Sequence, residues 1–152
     1  MNNNIKKENG KENAVKKNGN ERVAVWTVGG RDHKMKLTTL TITRLENRLG
    51  TNLLNVLNEG NTKGFPARGG LPKLGTMLLI LCEGMKTYDK SMTIEKACAL
   101  FDKYAEEGYC QTDLAYGPFI DLYAVSGFFP KRNEEALKEA QQELLEEIRK
   151  DL

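Results

Sequence analysis

Hydrophobic positions change their period along this chain, and each change predicts an element. "VAVWTV", Val23 to Val28, is a nearly unbroken β-branched and aromatic run; "GGRD" interrupts it, and "HKMKLT" then alternates, with Met35 and Leu37 on one face. This predicts a β-hairpin whose Gly29-Gly30 pair supplies the positive φ of a tight turn. From "TTLTITRLENRLG" onward the spacing is helical. Leu40, Ile42, Leu45 and Leu49 fall mostly on one face, threonines stand at N-cap positions and Gly50 at the stop. A short helix over residues 52–58 follows, carrying Leu53, Leu54, Val56 and Leu57.

"EGNTKGFPARGGLPKLG", Glu59 to Gly75, holds five glycines and two prolines and predicts a long loop, in which Phe65 and Arg68 are candidate partner anchors. Pro72 suits the first turn of the next helix, "KLGTMLLILCEGMKTY", apolar on nearly all sides between Met77 and Cys82 and therefore the central buried helix. "SMTIEKACALFDKYAEEGY" has Thr93 as N-cap, a stripe of Ile94, Ala97, Cys98, Phe101, Tyr104 and Ala105, and Gly108 as stop. In "TDLAYGPFIDLYAVSG" the Gly117-Pro118 pair predicts a kink or a division into two pieces, with Gly127 ending the segment.

After Pro130, "NEEALKEAQQELLEEIRKDL" has Asn133 as N-cap, acids in its first turn and basic residues near its end. Its stripe of Leu137, Ala140, Leu144, Ile148 and Leu152, with Leu145 alongside, is narrow, and such a stripe seeks another helix. Ahead of all this, residues 1–22 are rich in Asn and Lys and lack periodicity, which predicts a disordered basic arm. The expected fold class is mainly α: a single helical domain over residues 23–129 with an N-terminal β-hairpin, then a long C-terminal amphipathic helix over residues 130–152.

Charge removes one function class. The net charge is +2, but residues 1–22 carry +3 and the remainder −1, so the folded body lacks the basic face that nonspecific nucleic-acid binding needs. The best DNA-reading helix is "RLENRLG", with Arg44 and Arg48 at helical spacing; with the basic arm it forms the alternative reading, a small regulatory DNA-binding protein. No apolar run approaches the roughly 20 residues of a membrane span, the N-terminus is polar, and three cysteines do not make a disulfide framework. The expected location is a cytoplasm.

Candidate chemistry is sparse. The one histidine, His33, would need Cys82, Cys98 or Cys110 for a nucleophilic dyad, and Cys82 and Cys98 are expected on apolar helical faces, where a thiol behaves as a small hydrophobe. The cysteines are separated by 16 and 12 positions, without the closely spaced pairs of a zinc site. The carboxylates of "EEALKEAQQELLEE" read as a solvated helix face. No catalytic, cofactor or metal residue is assigned, and the expectation is an interaction protein, not an enzyme.

The order of segments carries a resemblance. A hairpin running into "TRLENRLG", then "LPKLGTMLLILCEGM", then "FDKYAEEG" followed by a Thr-Asp start, and finally Val125-Ser126-Gly127-Phe128-Phe129, resembles the tail assembly chaperones of long-tailed phages and prophages of Gram-positive bacteria over Val23 to Phe129. The Asn/Lys arm and the helix after Pro130 lie beyond it. The resemblance implies a small, mostly helical, non-enzymatic protein that forms homo-oligomers and coats the tape-measure protein. It also implies a longer, frameshifted form that recruits the tail tube protein. Exposed apolar stripes would meet such a client, and the candidates are Phe128, Phe129, Leu137, Leu144, Leu145 and Ile148. For Phe128 and Phe129 a second reading stands beside it, a latch that packs a helix end onto the core.

Overall fold

The structure is a computed structural model that describes residues 15–18, 21–57, 71–129 and 134–150. It is mainly helical behind an N-terminal antiparallel hairpin. Strands β2 (Glu21–Val28) and β3 (Arg31–Met35) pair in the register Ala24↔Met35, Trp26↔His33 and Val28↔Arg31. The two residues between them, Gly29 and Gly30, have φ of 62° and 76°, the doubly left-handed turn that matches the twist of paired strands. Ala24, Trp26 and Val28 alternate toward the core, while Val23 and Val25 on the opposite face are buried too.

The sheet is larger than a hairpin. Strand β1 (Val15–Asn18) pairs antiparallel with β2, in the order β1-β2-β3, so the expected disordered arm of residues 1–22 is wrong for Val15–Asn18 and for residues 21–22, which belong to β2. Composition misjudged this stretch because an edge strand draws its order from ladder hydrogen bonds to a neighbour, not from apolar residues of its own. Residues 1–14 lie outside the described part.

Helix α1 (Thr39–Leu49) begins where Thr38 accepts the Thr41 amide and ends at left-handed Gly50. Ile42, Leu45 and Leu49 at i, i+3 and i+7 face the core; Leu40, expected with them, is 59% exposed because it falls off that arc. Helix α2 (Leu53–Val56) is capped by Asn52 and buries Leu53 and Val56, leaving Leu54 out. Helix α3 (Leu74–Lys86) buries Met77, Leu78, Ile80, Leu81, Cys82 and Met85 and is the central helix expected. Pro72 sits before its N-cap, Lys73, one position outside the first turn.

Helix α4 (Ile94–Glu106) starts at Thr93, which accepts the Lys96 amide. Of its expected stripe Ala97 and Tyr104 are buried and Phe101 is partly covered, whereas Ile94, Cys98 and Ala105 are exposed; Leu100 packs in their place. Cys98 is therefore not on an apolar face as expected.

At Gly117-Pro118 the segment falls into two α-helical pieces, as expected, joined by a π turn. Helix α5 (Gln111–Leu114) passes through a π-helical turn, Ala115–Phe119, into α6 (Ile120–Val125). Pro118 has no N–H to donate, and widening the turn by one residue absorbs the defect. Every residue of α6 is buried, which makes it a second central helix. At its end Ser126 Oγ accepts the Leu37 amide at 3.0 Å, and the ring of Phe128 packs on Tyr123 with centroids 4.8 Å apart.

Helix α7 (Glu134–Lys150) lies against the π turn of its own chain. Leu144, Leu145 and Ile148 pack on the core, and the fourth inward position is Gln141, not Ala140, which is exposed. The polar side chain is inside because its amide donates to the Tyr116 carbonyl. In the widened turn the Ile120 N–H bonds Gly117 O, and the carbonyl of Tyr116 meets α7.

Tyr123 joins the second central helix to α2, its hydroxyl donating to the Leu53 carbonyl at 2.8 Å in a buried setting. Tyr123→Phe leaves that carbonyl without its partner, and the expected loss is about 1–3 kcal/mol of unfolding free energy, read as a lower urea midpoint at unchanged slope.

Candidate functional site

The partner-binding candidates separate in the structure. Phe128 and Phe129 pack on the core, as the latch reading has it, and so do Leu144, Leu145 and Ile148. Leu137 falls within α7 at a position whose side chain is not among those described, and Phe65 and Arg68 lie outside the described residues. The large apolar side chains exposed among the described residues are Leu40 (59%), Leu54 (47%), Tyr109 and Ile94. None of these four was a site candidate, because periodicity shows only that a residue is apolar. It does not show which arc of a short helix its neighbours leave uncovered.

A concave surface runs between β3 and α4. A cleft of about 270 Å³ follows β3 past Arg31, His33, Lys34, Tyr88 and Asp89, and one of about 410 Å³ continues over α4. The two share Arg31, His33, Asp89 and Met92. On β3, Arg31 and His33 are two residues apart and so point to the same face. On α4, Lys96, Ala99, Leu100 and Lys103 stand at i, i+3, i+4 and i+7, one face of the helix. Lys103 lies across the hairpin turn, its Cε 2.7 Å from where a Cβ on Gly29 would stand; the flexible lysine end could move aside, so it is the φ of 62° that calls for glycine there.

The charges are unevenly engaged. Asp89 accepts from both the Ser91 amide (3.0 Å) and hydroxyl (2.7 Å), which holds its carboxyl below the ordinary range. Lys96 Nζ donates to the Ser91 carbonyl at 3.0 Å, and Lys34 lies over the Tyr88 ring at 5.3 Å. His33 is pushed below the ordinary histidine value by burial first and by the Arg31 charge second, against the weaker pull of Asp89 and Asp32. Cations therefore dominate this cleft: Arg31, Lys96 and Lys103 line its larger part against the single carboxylate of Asp89.

Arg44 lines a second cleft, of about 450 Å³, with Lys86 and Lys90, beside exposed Leu40. Behind α4, Tyr104 meets Trp26 edge-on at 5.5 Å and stacks on Tyr109 at 4.5 Å; burial raises its hydroxyl pKa, and the neighbouring Asp113 adds to the shift. Asp113 accepts from the Cys110 amide at 2.9 Å and its thiol at 3.2 Å, and from Arg149 of α7 at 2.8 Å. Cys82 is buried, and burial raises its thiol pKa. Among the described residues no group of three or more His, Cys, Asp or Glu side chains is placed to hold a metal ion, and no helix is long and apolar enough to cross a membrane.

Residues 20–149 match a family of unknown function, DUF6096, a span that takes in β2, β3, every helix of the body and all of α7 but its last residue, and that leaves β1 outside. No curated protein and no solved structure matches the chain.

His33 gives the cleft a pH signature. Its proton affinity is depressed in the folded chain, so between about pH 6.5 and the lower folded-state value the unfolded chain binds more protons. Stability is complete above that window and falls as pH drops through it. The difference between urea midpoints at pH 7.5 and pH 5.5 is expected to be smaller in His33→Gln than in the parent; an unchanged difference would remove this account of His33.

Proposed function

We propose that this chain, which belongs to the family of unknown function DUF6096, is a phage tail assembly chaperone. In this reading it self-associates in the bacterial host cytoplasm and binds the tape-measure protein, keeping it from aggregating while the tail tube assembles. Its work is non-enzymatic. A longer, frameshifted form of the same protein brings the tail tube protein to the complex.

The observation that carries the reading is the order in which one core is built. A hairpin feeds the Thr38-capped α1, α3 runs through the centre, Thr93 opens α4, and the Ser126–Phe129 finish tucks onto the same core. That is the order on which the resemblance to tail assembly chaperones rests. The client surface moves, however. Phe128, Phe129, Leu144, Leu145 and Ile148 are engaged with their own body, so the apolar side chains offered to a helical client are Leu40 and Leu54 on α1 and α2.

Arg44, Lys86 and Lys90 gathered about one cleft favour the alternative, a regulatory DNA-binding protein. One set of measurements separates the two. Co-expression is expected to keep a tape-measure fragment soluble, and Leu40→Asp with Leu54→Asp to weaken its binding by on the order of tenfold at unchanged circular dichroism. A fragment that precipitates equally with and without the protein sinks the chaperone reading. Duplex binding that falls steeply with salt and is lost in Arg44→Ala with Arg48→Ala would put the DNA-binding reading in its place.

A further inference from the structure

The outward face of α7 carries an unusual row of charge. Glu139, Glu143, Glu146 and Glu147 are exposed, and they stand at i, i+4, i+7 and i+8, so the carboxylates lie one above another along one side of the helix. Like charges at that spacing disfavour an isolated helix, and within the described residues none of the four has an ion-pair partner. The opposite face of α7 is held on the body by Gln141, Leu144, Leu145 and Ile148, which keeps the row pointing away from its own core.

The cleft between β3 and α4 has the complementary character. Arg31, Lys96 and Lys103 line its larger part over an apolar floor that includes Met92 and Leu100; Asp89, the carboxylate of that part, accepts from Ser91, and Asp32, in the smaller part, accepts from the Thr27 hydroxyl. Spacing agrees as well as sign. Lys96 and Lys103 are seven residues apart on α4, about 10 Å along the axis, and Glu139 and Glu146 are seven residues apart on α7, the same rise.

We infer that the α7 carboxylate row of one copy docks on the Arg31–Lys96–Lys103 cleft of a second copy. The two surfaces are different parts of the molecule, so the contact is head-to-tail: each chain offers one row and one cleft, Lys96 exchanging its bond to the Ser91 carbonyl for the incoming carboxylate, and addition continues until a ring closes or a filament grows. It is electrostatic in origin and lies largely at the surface, so it weakens as salt shortens the screening length from about 8 Å near 0.15 M to about 3 Å at 1 M. The inference deepens the proposed function, resting on the self-association in that reading, and assigns the surfaces that perform it.

Sedimentation of the full chain over a concentration and salt series tests it. Self-association is expected at 0.05 M salt and is expected to fall by at least tenfold at 0.5 M. Lys96→Glu with Lys103→Glu, and separately Glu139→Lys with Glu146→Lys, should each lose it, and mixing the two reversed proteins should restore a mixed assembly. The neutral pair Lys96→Gln with Lys103→Gln, also expected to weaken association, keeps the readout if a reversal impairs folding. A parent that stays monomeric throughout, reversals without effect, or a mixture that fails to associate would each overturn the inference. The client assay fails independently: a soluble client with a monomeric protein removes only this contact, and a precipitating client beside intact assemblies removes only the chaperone reading.

Discussion

Three parts of the fold converge on the backbone of Gly84, in the last turns of α3. A Cβ there would stand 3.0 and 3.1 Å from the two methyls of Leu122 on α6, tight enough that Leu122 would have to give by a few tenths of an ångström, and 3.5 Å, in ordinary contact, from the Cβ of Met35 on β3. The missing side chain lets sheet, central helix and final core helix meet directly. Its carbonyl accepts the Lys36 amide at 3.1 Å, and one turn on, Thr87 donates its hydroxyl to the Lys36 carbonyl at 2.6 Å. The connection from β3 to α1 is thereby fixed from one side by α3 and from the other by Ser126 at the end of α6. Everything that leaves this junction inherits its direction: β3 with the Arg31 side of the cleft, α1 with Leu40, and the Gly127–Phe129 finish.

The junction also explains how a segment without chemistry can be specified so tightly. Ser126 and Phe128 look like residues of a loose joint, yet one satisfies a partly buried amide 89 positions earlier in the chain and the other closes over Tyr123, whose hydroxyl in turn holds Leu53. Burying backbone amides and carbonyls without partners costs more than these bonds return individually, so the joint is fixed by the need to satisfy them. The same logic carries α7. A proline within a helix breaks the ladder, the turn widens, and the Tyr116 carbonyl is met by Gln141 from outside.

Much of this was legible in the residues. Local devices read directly: Thr38 and Thr93 as caps, Gly29-Gly30 as turn, Gly50 as stop, and an all-round apolar run as the central helix, because each depends on neighbours a few positions away. What did not read depends on distant partners. Strand β1 takes its order from β2, Leu40 is exposed by the arc that its neighbours happen to cover, Cys98 turns outward while Leu100 turns in, and Gln141 displaces Ala140 from the buried face. The cleft was hidden for the same reason: Arg31 and His33 follow the period of a strand and Lys96 and Lys103 that of a helix, and only the packing of α4 beside the hairpin brings the two series together.

The division of apolar and charged surface bears on what kind of partner this molecule can hold. Its long amphipathic helix has already spent its apolar face on its own core and turns outward a face of carboxylates, so the contacts left to α7 are electrostatic and reversible. The apolar side chains left exposed are dispersed over α1, α2 and the ends of α4, each too small to form a stable interface alone. Repetition changes that arithmetic. A head-to-tail series of copies would align Leu40 and Leu54 at a fixed interval, and a long helical client could engage many weak apolar contacts at once, gaining through multivalency an affinity that no single copy supplies. On the proposed reading, a reversible charged contact between copies and a dilute apolar surface on each would be two halves of one requirement: to hold an aggregation-prone chain along its length and release it segment by segment.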